Sequence, residues 1–244
     1  MRPIVAVAFL SILFGVVGVL CTAWALVSLT RGEYLSVIVV AGFAVFTFGM
    51  VAMMAIVTMR KVTARVEHDD AGTTFRPDGK VDVLLVASTV GAFVAMTVYA
   101  IFAPLDMLDI PVPPGNRQYF VFASIAGVLV GLPSLWQILT QRGMSHLRLT
   151  AGGVELGNAF STAARSWDEV SDVADRPPKG RRSSNNTGTT YVTTADGRTR
   201  TLASDWYTPG GHALRDLVRF YWQHPEYREE LTDGRALDRL RTGF

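Results

Sequence analysis

Residues 3–29 read PIVAVAFLSILFGVVGVLCTAWALVSL, without one Asp, Glu, Lys, Arg or His. About 20 apolar residues cross a bilayer as a helix, and this stretch exceeds that length. Three more runs of the same kind follow, at 34–59, 83–105 and 118–141, and each is free of Asp, Glu, Lys, Arg and His. A helix with no polar face over such a length has no stable place in water. The runs therefore predict four transmembrane helices over residues 1–143, with a water-soluble domain confined to 144–244. A hundred residues can bury a core without disulfides or metal. The single Cys21 lies inside the first run, so no disulfide framework is expected.

Ala23-Trp24-Ala25 offers a small-x-small cleavage site, but the apolar run before it is too long for a signal peptide. The first run is expected to stay as an anchor. Loop charges set the orientation, because Lys and Arg resist translocation. The loop 60–80 holds Arg60, Lys61, Arg65, Arg76 and Lys80, whereas the flanking loops hold only Arg31 and Arg117. Both termini are expected in the cytoplasm of a bacterial cell with a multi-pass protein in its plasma membrane.

Small residues recur at helical spacing inside the runs. Ala87, Gly91 and Ala95 share one face of the third, and Ala123, Gly127 and Gly131 share one face of the fourth. Ser11 with Gly15 and Gly42 with Gly49 follow the same pattern. Such faces let backbones approach, the packing that replaces the hydrophobic effect in lipid. They fit either contact among the four helices or docking onto another membrane protein. No ionisable group lies at membrane depth, which argues against a self-contained pump or channel. Pro133 is expected to kink the fourth helix. The loop 104–118 carries four prolines and reads as a stiff surface connection, with Leu105, Met107, Leu108, Ile110 and Val112 available to a membrane or partner surface.

Beyond residue 144 the period changes to two. Leu147 and Leu149 alternate with polar residues, Ala151-Gly152-Gly153 turns into Val154-Glu155-Leu156, and strands are predicted over 163–167, 170–174, 189–194 and 199–203. Asp196-Gly197 suits a tight hairpin. Leu214, Leu217, Val218, Tyr221 and Trp222 repeat at three- and four-residue steps, which predicts a helix with one buried face. The fold class is thus a four-helix membrane protein with an α+β domain, a curved antiparallel sheet closed by a C-terminal helix. The chain resembles the bacterial pleckstrin-homology-like domains fused to transmembrane helices in actinobacterial membrane proteins. The resemblance rests on Leu147-Arg148-Leu149-Thr150 with Gly153, Trp167-Asp168-Glu169-Val170 with Val173, Asp196-Gly197 and His224-Pro225-Glu226. It covers about the last hundred residues and implies a fold more than an activity. The 20 Arg against 3 Lys agree with a high-GC genome.

No metal-ligand spacing joins His68, His146, His212 and His224, and no nucleophile elbow or phosphate-binding loop is present. No catalytic residue and no cofactor are expected. The one charged cluster is Arg176, Lys179, Arg181 and Arg182, in a loop rich in Ser, Asn and Gly. It reads as a solvated loop or as a contact for anionic lipid headgroups. The expected function is that of a non-enzymatic accessory subunit docking on a larger membrane complex. By the actinobacterial resemblance, a lipid-import assembly of the cell envelope is the candidate. Sensing of anionic lipid is the alternative, and a lipid-modifying enzyme ranks last. Membrane lipids and other integral membrane proteins are the expected partners, and nucleic acid is not.

Overall fold

The computed structural model describes residues 3–141, 143–177 and 188–242. Four helices are long and apolar enough to cross a membrane: α1 (Pro3–Thr30), α2 (Tyr34–Thr58), α3 (Gly79–Phe102) and α4 (Arg117–Gln141). These are the helices of a membrane protein. Pro133 lies inside α4 without ending it. The strands form two antiparallel sheets, with β1 and β2 lying between α2 and α3 in the chain. The first has five strands in the order β1 (Arg65–Asp69), β2 (Gly72–Arg76), β3 (Ser145–Leu149), β4 (Gly153–Asn158) and β5 (Thr162–Ser166). The second has β6 (Val170–Ala174), β7 (Thr189–Thr194) and β8 (Thr199–Ala203). Helices α5 (His212–Gln223) and α6 (Arg235–Thr242) close the chain.

The first two strands correct the sequence reading in one respect. Residues 60–80 are more than a charged loop between helices: Thr73, Thr74 and Phe75 of β2 pair with Leu149, Arg148 and Leu147 of β3. The sheet unit therefore comprises Ile56–Asp82 and Gly143–Phe244, and the helical unit Met1–Ala55 and Val83–Arg142. The chain passes between the two units three times.

One core serves both sheets. Phe75, Leu147, Leu149, Val154, Trp167, Val173, Val192 and Leu202 meet Leu214, Leu217, Val218 and Tyr221 of α5. The alternation predicted for β3 is observed, with Ser145, Leu147 and Leu149 buried and the residues between them half-buried. Trp167 enters the core from a short 3-10 turn whose start is fixed by a capping box of Ser166 and Glu169. Its indole N–H donates to the Thr150 carbonyl at 2.9 Å. Gly197 in the β7–β8 turn has φ +76°, a conformation that costs glycine least. Helix α5 also covers the open edge of β6. Arg219 Nε donates to Val173 O at 3.0 Å and Trp222 Nε1 to Val170 O at 3.0 Å, so these strand carbonyls are satisfied by side chains.

Candidate functional site

In the helical unit the small residues work as contact points. A Cβ on Gly42 of α2 would lie 2.5 Å from the Gly91 carbonyl oxygen and 2.9 Å from Ala95 Cβ on α3. One on Gly49 would collide with the Ser88 hydroxyl. On α4, Gly127 receives Met96 and Gly131 receives Phe93, both from α3. The two remaining positions of those sequence stripes, Ala87 and Ala123, are exposed. The inward face of α3 runs through Ser88, Ala95 and Tyr99 instead. In α1, Gly15 has open space around it, while Gly18 faces Thr47 and Phe48 of α2.

The proline-rich connection is tied down rather than free. Leu108 and Ile110 pack against the buried group of Val39, Ala95, Tyr99 and Ala103. Asp109 holds three partners: its N–H donates to Ser36 Oγ at 2.9 Å, its carbonyl accepts from Trp24 Nε1 at 3.0 Å, and its carboxylate accepts from Arg31 at 2.9 Å. Arg117 pairs with Asp106 and donates to the Ala103 carbonyl at 2.6 Å. Leu105 and Met107 remain exposed. The buried bond and the exposed ion pair should separate in experiment. Ser36→Ala removes a buried partner and is expected to cost about 1–3 kcal/mol and speed proteolysis within 104–117. Asp109→Ala keeps both backbone bonds and loses an ion pair whose members are half-exposed, for less than about 1 kcal/mol.

In the sheet unit, two carboxylates gather the chain ends that lead to the helices. Asp78 accepts from Thr63 N at 2.9 Å, Thr63 Oγ1 at 3.1 Å and Lys80 N at 2.8 Å. It caps the start of α3 while binding the segment that follows α2. Burial pushes its carboxyl up, but the hydrogen bonds from Thr63, Lys80 and Val81 outweigh that and hold it below its ordinary value. Asp82, one turn on, accepts from Arg65 at 2.7 Å and from Met144 N at 2.9 Å. The segment after α2, the start of α3 and the residues after α4 thus meet at two side chains. Next to them Ser145 Oγ bonds Tyr207 Oη at 2.8 Å and donates to Gly157 O at 3.0 Å. Tyr207 is fully buried, and burial raises its phenol well above the ordinary value. Sequence reading passes over Asp78 and Thr63 and counts Arg65 only as a loop charge, although Asp70-Ala71-Gly72 followed by Thr73-Thr74-Phe75 is a hairpin signal.

Of the basic cluster, Arg176 is exposed after β6, and Lys179, Arg181 and Arg182 lie outside the described residues. Among the described residues no three His, Cys, Asp or Glu side chains come together as metal ligands. Burial pushes the Asp205 carboxyl up to about 6, only partly offset by the N–H groups of Asp205 and Trp206. Its native value lies above the unfolded value near 3.8, so the protonated form favours folding. That contribution is present at low pH and is lost as pH rises from about 4 through 6. Asp205→Asn should therefore raise the thermal midpoint at pH 7.5, by an amount equivalent to about 1–3 kcal/mol. The gain should shrink between pH 6 and 4 and vanish below it. Scanning fluorimetry of the full chain across that range measures this, and a gain independent of pH would refute the assignment.

Comparison of the chain with protein-family models, with curated proteins and with solved structures yields no match.

Proposed function

We propose that this chain is a non-enzymatic accessory subunit of a bacterial plasma membrane, docking on a larger membrane complex, with a lipid-import assembly of the envelope as the candidate. The observation that carries the reading is the surface of α1. Among its described residues only Gly18 and Ser28 are buried, against six residues of α2, and the helix carries no Asp, Glu, Lys, Arg or His. Four of the small-residue positions, Gly91, Ala95, Gly127 and Gly131, face neighbours within the chain. Docking accordingly falls to α1 and to the outward side of α4, where Phe122, Leu129 and Leu132 are exposed. The sheet unit, with two antiparallel sheets and a C-terminal helix, fits a pleckstrin-homology-like docking module on the cytoplasmic side. Its pairing of β2 with β3 requires the segments after α2 and after α4 to share one side of the membrane. Crossing by both α3 and α4 meets that requirement.

Gentle-detergent purification of a tagged copy from native membranes tests the subunit reading. Stoichiometric integral membrane partners are expected, and recovery of the chain alone as a monomer would count against it. Orientation is tested separately. With Cys21 replaced, Gly115→Cys should label from outside intact cells and Ser183→Cys only after lysis. Exposed Arg176 favours a second reading, recognition of anionic lipid, which requires that Arg176→Ala weaken binding to anionic nanodiscs.

A further inference from the structure

We propose that the β4–β5 turn, residues 158–161, is an interfacial membrane anchor that seats Phe160 among lipid headgroups and the first acyl carbons. Phe160 is 69% exposed, the most exposed large hydrophobic side chain among the described residues of the sheet unit. The turn beneath it is rigid. Asn158 Oδ1 accepts from Phe160 N at 2.9 Å and from Ser161 N at 3.0 Å, while Asn158 N donates to Ser161 O at 2.9 Å. Arg200 of β8 holds the Ser161 hydroxyl at 3.0 Å, and Ala159 is buried. These backbone groups are satisfied inside the turn, which lowers the cost of bringing it into a medium poor in water.

Chain connectivity fixes where this turn lies along the sheet. Asn158 pairs with Ser145, so the turn stands level with the first residue of β3. Ser145 follows Gln141, the last residue of α4, by four residues, a span of at most about 14 Å. Met144 is bonded to Asp82 in the first turn of α3, which brings a second membrane-bound segment to the same end. The turn joining β1 and β2 lies at the other end of the sheet, because Thr73 pairs with Leu149. Charge divides in the same sense. Arg60, Lys61 and Lys80 are exposed on the segments that lead to and from the helices, while the far turn carries Asp70 and an Asp69 paired with Arg148. A basic rim with a projecting aromatic suits an anionic bilayer surface, where aromatic rings concentrate.

The test uses the full chain in nanodiscs of phosphatidylcholine and phosphatidylglycerol, with Cys21→Ser as background. A nitroxide at Phe160→Cys should collide several-fold more with oxygen than with a nickel chelate, while one at Asp70→Cys should show the reverse. Equal nickel access at the two positions would overturn the anchor. A photo-reactive benzoylphenylalanine in place of Phe160 gives a second measurement, free of added cysteine. Its expected product in nanodiscs is a lipid adduct, and protein free of adduct overturns the proposal. The inference rests on α3 and α4 crossing the bilayer. Labelling at Gly115→Cys and Ser183→Cys checks that separately, so the two failures are distinguishable.

Discussion

A fragment of residues 144–244 expressed alone is expected to remain unfolded, although it contains six of the eight strands and helices α5 and α6. The missing part is β2. Phe75 is fully buried opposite Leu147, and the buried Thr73 donates its hydroxyl to Leu231 O at 2.5 Å. Losing a buried Phe costs about 3–5 kcal/mol, a large share of the roughly 5–15 kcal/mol that holds a domain folded. The fragment would also leave the β2-facing edge of β3 unpaired. Joining residues 56–82 to 143–244 through two or three Gly and Ser residues should restore folding. Asp82 already accepts from Met144 N at 2.9 Å, so a short link spans the gap. Cooperative urea unfolding and dispersed amide resonances are expected for the joined protein only. Cooperative unfolding of 144–244 by itself would refute the discontinuous domain.

The second large effect lies between α2 and α3. Gly42→Ala places a methyl group 2.5 Å from the Gly91 carbonyl oxygen, where only backbone movement gives relief. We expect a loss of about 2–4 kcal/mol in unfolding from bicelles, since overpacking strains both helices. Gly127→Ala meets the Met96 thioether, a flexible side chain that can turn away, and should cost less than about 1 kcal/mol. Gly15→Ala meets nothing within 4 Å and should be neutral or stabilising through helix propensity. The order Gly42, Gly127, Gly15 is the prediction, read from unfolding midpoints of the three variants. Equal tolerance at Gly42 and Gly15 would refute the close helix contact.

The legibility of these features in the sequence follows from how local each signal is. The four membrane helices announce themselves by run length. Strands β3 to β8 and α5 are readable because Leu147 and Leu149, Asp196-Gly197 and the Leu214–Tyr221 stripe are short-range patterns. Strands β1 and β2 are harder to read: they form a local hairpin, but the strand that β2 joins lies some seventy residues away, and the basic residues that mark membrane side dominate 60–80. Spacing of three and four identifies small-residue helix faces but cannot tell Ala87 from Ser88, one position round the helix. The ties at Asp78, Asp82 and Asp109 depend on partners from distant segments, such as Thr63, Met144, Trp24 and Ser36. No local pattern encodes them.

The split origin of the sheet has a consequence for biosynthesis. Strands β1 and β2 leave the ribosome well before β3, and α3 and α4 are made between them. The early hairpin must wait, with Phe75 uncovered, until two further helices have been threaded into the bilayer. If only one of those helices inserts, β2 and β3 emerge on opposite sides and the core cannot close. Completion of the sheet is thus a proofreading step for insertion of the α3–α4 pair. A mis-threaded chain would present an unpaired hydrophobic hairpin, the kind of surface by which membrane quality-control proteases recognise failures.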